Sequence, residues 1–185
     1  VQDQDVMQQQ DVKDWLSTAT TAMLDIFQRS NVYRVLSAMY LELGAFGTSA
    51  AIVVEDFDNI IHLFPLTAGE YCIATDWKGN VNTLYREFEK PVGEIVDEFG
   101  YENCSQHVQN MWDRGTLDQW IPIIHVIEPR KDKERDLTMA DNKNMAWKSV
   151  YYELNGNEDK PLRESGYKRF NVLAPRWDVS GGDIY

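Results

Sequence analysis

Positive charge is scarce in this sequence. Lys and Arg total 18 against 30 Asp and Glu, a formal net charge of −12 over 185 residues. A protein that grips nucleic acid by neutralising phosphates needs the opposite balance, at least over a patch. Cysteine is also sparse: Cys72 and Cys104 are too few for a disulfide scaffold and form no CxxC pair, which fits a reducing compartment. No apolar run approaches the roughly 18 residues of a membrane helix, and no signal-peptide pattern opens the chain, so no membrane partner is expected. What the chain does have is apolar mass, 43% hydrophobic and 12% aromatic residues, including 6 Trp and 9 Tyr. That is enough to bury a core and excludes full disorder. The length points to one domain, or one plus an appended helix. The start at Val1 and the stop just after Ser180-Gly181-Gly182 suggest a piece of a larger polypeptide.

The Gln-rich segment 1–10 is expected to fray, and a single domain is expected over 11–185. From Asp11 the period is helical: Val12, Trp15, Leu16, Ala19, Ala22, Met23, Ile26 and Phe27 form one stripe. Ser30 and Asn31 break it. Val32, Val35, Leu36, Met39, Tyr40 and Leu43 make a second stripe, with Gly44 expected as its C-cap. The spacing predicts helices over 11–29 and 32–43. Then the period changes. Strands are expected at Thr48–Val54 and at Ile60–Phe64, the latter closed by Pro65, with a turn over Glu55–Asn59. Glu70–Thr75 and Val81–Glu89 read as a hairpin around Asp76–Asn80. Short helices follow from Pro91 to Gly100 and from Ser105 to Arg114. Further strands are expected at Ile121–Ile127, Trp147–Leu154 and Phe170–Ala174, with a solvated loop of nearly balanced charge over Arg130–Asp136. Two helices followed by mostly antiparallel strands with small inserted helices define an α+β fold.

The motifs of common chemistry are missing. There is no GxxxxGK[ST], no GxGxxG opening a helix and no GxSxG. His62, His107 and His125 stand apart from one another and from the cysteines, so the ligand pairs of a zinc site are absent, and each is read as an ordinary sheet or surface histidine. Glu55, Asp56 and Asp58 would be the carboxylates of a metal-dependent nuclease, but their setting is an ordinary turn, where Asp serves the backbone. Glu158-Asp159-Lys160 has a nuclease-like spacing in a loop setting. On an extended Pro175–Asp178 segment, Arg176 and Asp178 would face one way as an ion pair and Trp177 the other. No catalytic set emerges, and no cofactor or metal is expected.

Several stretches, in order, resemble the head-to-tail connector (portal) proteins of short-tailed bacteriophages. They are Ser30–Tyr33, Leu43–Ala50, Pro65–Tyr71, Thr83–Phe88, His125–Arg130, Trp147–Glu153, Leu162–Tyr167 and Pro175–Asp178. The resemblance implies a non-enzymatic structural fragment, the wing of a portal subunit that stops before the stem. The complete subunit would form a dodecameric ring with itself at one capsid vertex. It would contact capsid, terminase and tail proteins, and duplex DNA would pass through it without sequence recognition. Localisation would be the virion, and the host cytoplasm during assembly. Trp77 in its turn, with Arg176, Trp177 and Asp178, are the interface candidates, since aromatic residues and Arg are favoured where subunits meet. An adaptor that binds a protein through the N-terminal helices is the further alternative.

Overall fold

The computed structural model describes residues 8–136, 138–139, 141–154, 156 and 160–177. They divide into two compact units: one up to Leu66 together with Leu173–Trp177, the other Thr67–Val172. Each has its own apolar cluster. Most of the segment expected to fray lies outside the described residues, and helix starts at Gln10.

The first unit opens with α1 (Gln10–Arg29) and α2 (Val32–Phe46). Gly44 does not end α2. Apolar Ala45 and Phe46 carry the helix on to Gly47, whose φ of 73° makes the left-handed cap, its N–H donating to Leu43 O at 2.9 Å. β1 (Ala50–Asp56) and β2 (Ile60–Leu66) form an antiparallel hairpin, in a sheet of order β2-β1-β8 with β8 at Val172–Leu173. Pro65 sits inside β2, paired with Ala51, and does not close the strand as expected. An edge strand tolerates it because its outward side needs no N–H donor. Val32, Val35 and Met39 of α2 pack on Ala51 and Leu63 of this sheet, with Phe27 against them. Asn31 ties helix to strand. Its amide donates to Leu63 O at 2.7 Å and accepts from Leu63 N at 2.9 Å, imitating a neighbouring strand and blunting the edge of β2.

The hairpin tip stores strain. Ile60 has φ 73°, a conformation costly for a β-branched residue, and Phe57 beside it is fully exposed. Ile60→Gly should therefore raise stability by about 1 kcal/mol, read as a higher urea midpoint. A lower midpoint would refute the strain.

The second unit is built on a five-stranded antiparallel sheet of order β3-β4-β5-β6-β7: β3 (Tyr71–Thr75), β4 (Val81–Pro91), β5 (Trp120–Pro129), β6 (Trp147–Glu153) and β7 (Arg163–Tyr167). β7 is absent from the sequence reading, because its polar, Gly-containing residues show no apolar alternation. The strand expected over Phe170–Ala174 shrinks to β8. Two short helices, α3 (Val92–Phe99) and α4 (Gln106–Asp113), complete the unit. They pack Val92, Ile95, Val96, Phe99 and Val108 onto Ile121 and Ile123 of β5. Ser105 caps α4, its hydroxyl accepting from Val108 N. The charge-rich loop after β5 is not wholly solvated. The Arg130 guanidinium is buried, donating to Glu164 at 2.7 Å, while Arg135 donates to Asn144 O at 3.0 Å. A residue that pairs with a distant strand leaves no local signal.

Candidate functional site

The carboxylates at the β1–β2 tip are the first place to look for chemistry. Asp56 Oδ1 accepts from Asp58 N at 2.9 Å, and its other oxygen accepts from Asn59 Nδ2 at 3.2 Å. These bonds, the backbone one foremost, hold the Asp56 carboxyl below its ordinary pKa. The carboxylate thus serves the turn. Among the described residues no three His, Cys, Asp or Glu side chains are grouped to hold a metal, Glu55, Asp56 and Asp58 included. Glu158 and Asp159 fall outside the described residues. Lys160 donates to the backbone carbonyl of Glu102.

The histidines separate as well. His62 lies in β2 beside the Asn31 amide, at 3.3 Å, and His107 is exposed on α4. His125 is buried in β5, its Nε2 2.9 Å from the Ser149 hydroxyl and its ring stacked on Tyr151 at 3.9 Å between centroids. Strand register aligns it in a row across the whole sheet: Tyr71, Arg86, His125, Tyr151 and Arg163. Arg163 lies over the Tyr151 and Phe99 rings, at 4.7 and 5.1 Å, and reaches Glu98 at 3.2 Å. Burial, then the charges of Arg86 and Arg163, push His125 down to about 3, so the ring is neutral. The row is cation–aromatic packing that fixes register. It missed sequence detection because its members sit on five strands. Near its end, Tyr71, Tyr85, Arg86, Glu87 and Ile124 line an open depression of about 250 Å³. Both thiols are free, and burial lifts Cys104 to about 11, which keeps it unreactive.

What the surface offers is apolar contact. Trp77, at the β3–β4 turn, is 90% exposed with Lys78 over its ring, and Trp177 is 76% exposed. Pro175–Trp177 runs antiparallel to Gly47–Ser49. Thr48 pairs with Arg176, and Trp177 N donates to Gly47 O at 2.8 Å. Arg176 is half-buried and Trp177 exposed, as alternation on an extended segment requires. Asp178 lies outside the described residues.

An acidic α+β chain with large exposed aromatics, and with no grouped metal ligands among the described residues, matches one family over its whole length. The model of the bacteriophage head to tail connecting protein matches residues 1–185. The chain belongs to that family. It is 56% identical over 174 residues to a protein named "Probable portal protein" in Bordetella phage BPP-1, covering 94% of this chain and 31% of that protein. To a protein named "Portal protein" in Salmonella phage epsilon15 it is 42% identical over 183 residues, covering 99% of this chain and 33% of that protein. This connector chain therefore spans about a third of the length of the curated relatives it matches.

Proposed function

We propose that this chain is a wing-like part of a non-enzymatic portal subunit. The complete subunit assembles with itself into a dodecameric ring at one capsid vertex. DNA passes through the ring during packaging and ejection, the terminase docks first and tail proteins replace it later. Assembly takes place in the host cytoplasm and the product resides in the virion. The observation that carries this reading is the family match across all 185 residues, together with two relatives named as portal proteins. The net charge of −12 supports it, since fixed negative charge repels phosphates and lets duplex DNA slide without being gripped. Trp77, Arg176, Trp177 and Asp178 are proposed as subunit contacts.

The test is the native mass of a polypeptide with the length of the relatives, about three times this chain. A closed ring of roughly twelve copies is expected, which is the closed point-group assembly a head-to-tail interface makes. A monomer or dimer across a range of salt and protein concentrations would overturn the reading.

A further inference from the structure

We infer that Leu173–Trp177 is a strap that lifts off the first unit and closes on it again while the rest of that unit stays folded. This goes beyond the portal reading and does not depend on it.

The first unit is otherwise continuous up to Leu66, and the strap joins it from later in the chain. Its seat is narrow. β8, through which it enters, is two residues long. After it, Ser49 N donates to Pro175 O at 3.3 Å and Trp177 N donates to Gly47 O at 2.8 Å. The first of these bonds is long for its kind, and Pro175 has no N–H to add another. No strap residue is buried: Leu173, Pro175 and Trp177 are exposed, Ala174 and Arg176 half-buried. The cluster that holds α2 on the sheet is Val32, Val35, Met39, Ala51 and Leu63, and among the described residues it includes none from the strap. Lifting the strap leaves that packing intact, which is the condition for local opening at a lower free energy than global unfolding.

Closure also carries a cost at the seat itself. Ser49 is fully buried, and Thr48 is the residue paired with Arg176. Both hydroxyl oxygens are buried without a hydrogen-bond partner among the described residues. A buried hydroxyl in that state costs at least as much as a backbone hydrogen bond returns. Two of each at one seat bring the closed and open forms close in free energy. Opening lets water reach the segment and satisfy both hydroxyls.

What the strap acts on is the end of α2. Gly47 donates its N–H to Leu43 O as the left-handed cap and accepts the Trp177 N–H on its own carbonyl. One residue thus joins the helix end to the strap. With the strap lifted, the Gly47 carbonyl is released and the backbone freedom of glycine returns on that side. The strap therefore couples the backbone at Trp177 to the turn by which α2 passes into β1.

The experiment is hydrogen–deuterium exchange on the full-length polypeptide, resolved by peptide. Peptides holding Ser49 and Trp177 should exchange about a hundredfold or more faster than those of α2 around Val35 and Met39, at rates unchanged by about 1 M urea. The bonds of Ser49 and Trp177 flank Thr48–Arg176, so this is a non-hydrogen-bonded antiparallel pair, whose close Cβ atoms suit a disulfide. Thr48→Cys with Arg176→Cys, in a Cys72→Ser background, should slow both peptides about a hundredfold on oxidation and release them on reduction. Ser49→Ala should slow them about tenfold, because it removes an unpartnered hydroxyl from the closed form. Wild-type strap peptides protected as strongly as α2 would overturn the proposal, and so would faster exchange in Ser49→Ala. None of these readings requires a ring, so failure of the portal reading leaves them unchanged.

Discussion

Gly166→Ala should destabilise the second unit by about 3 kcal/mol or more, one of the largest single-residue effects expected in this protein. Gly166 is buried in β7, opposite Lys148 of β6. A Cβ built there would lie 2.5 Å from Asn142 O, 2.6 Å from Trp147 O and 3.2 Å from Met145 Cβ. The first two are backbone carbonyls, which cannot swing aside as the end of a flexible side chain would. Relief would have to come from moving β7 or the segment before β6. Either movement would disturb the Arg130–Glu164 pair next to it, whose guanidinium is buried. Thermal unfolding should show a midpoint lowered by roughly 10 °C. Gly44→Ala is the matched control: in the open space of α2 it should be neutral or slightly stabilising in the isolated chain. An unchanged midpoint for Gly166→Ala would mean that the carbonyls do not crowd this strand.

Acid should unfold the protein through His125 before most carboxylates titrate. The folded ring is held down to about 3 from an ordinary 6.5 by burial and by Arg86 and Arg163. For a base depressed in the folded state, the unfolded chain takes up its proton first. The neutral-ring contribution is complete above pH 6.5 and declines as pH falls from 6.5 toward 3. The slope is about 1.4 kcal/mol per pH unit, so about 2 kcal/mol is lost by about pH 5. Asp56 contributes in the same direction, but only as pH falls below its ordinary 3.8, because its carboxyl is also held down in the fold. Glu128, which burial raises but Lys148 and Tyr85 hold below its ordinary 4.5, also adds to the loss only toward that value, so the window between about 6.5 and 5 reports His125. His125→Phe with Ser149→Ala keeps a ring against Tyr151 and leaves no hydroxyl without its partner. Unfolding free energies from urea titrations at about pH 7 and pH 5 should differ by about 2 kcal/mol less in the double variant than in the wild type. Equal differences would show that His125 is not the acid-sensitive group.

How far the sequence carried can be judged from particular residues. The stripes Val12–Phe27 and Val32–Leu43 revealed both long helices, because helical periodicity is local. The Gly100 stop after α3 and the Ser105 start of α4 were equally plain, since capping chemistry acts within one turn. The end of α2 was misplaced at Gly44 because glycine suits both an αL cap and a tight helix approach, and composition does not separate them. β7 escaped because a strand that completes a sheet needs only backbone pairing with its neighbour. As for the site, Trp77 and Trp177 were visible as aromatics, but their exposure was not.

Local pattern and composition were sufficient for the α+β class and for the acidic and aromatic character, while the family was legible only as a resemblance of ordered stretches from Ser30–Tyr33 to Pro175–Asp178. The remaining features needed the folded chain. Folding placed Tyr71, Arg86, His125, Tyr151 and Arg163 in one row, drew the Arg130 guanidinium inward to Glu164 and left the stripe of α1 without a core. Register and burial are set by pairings between residues tens of positions apart, whose free energy exists only once the strands have met.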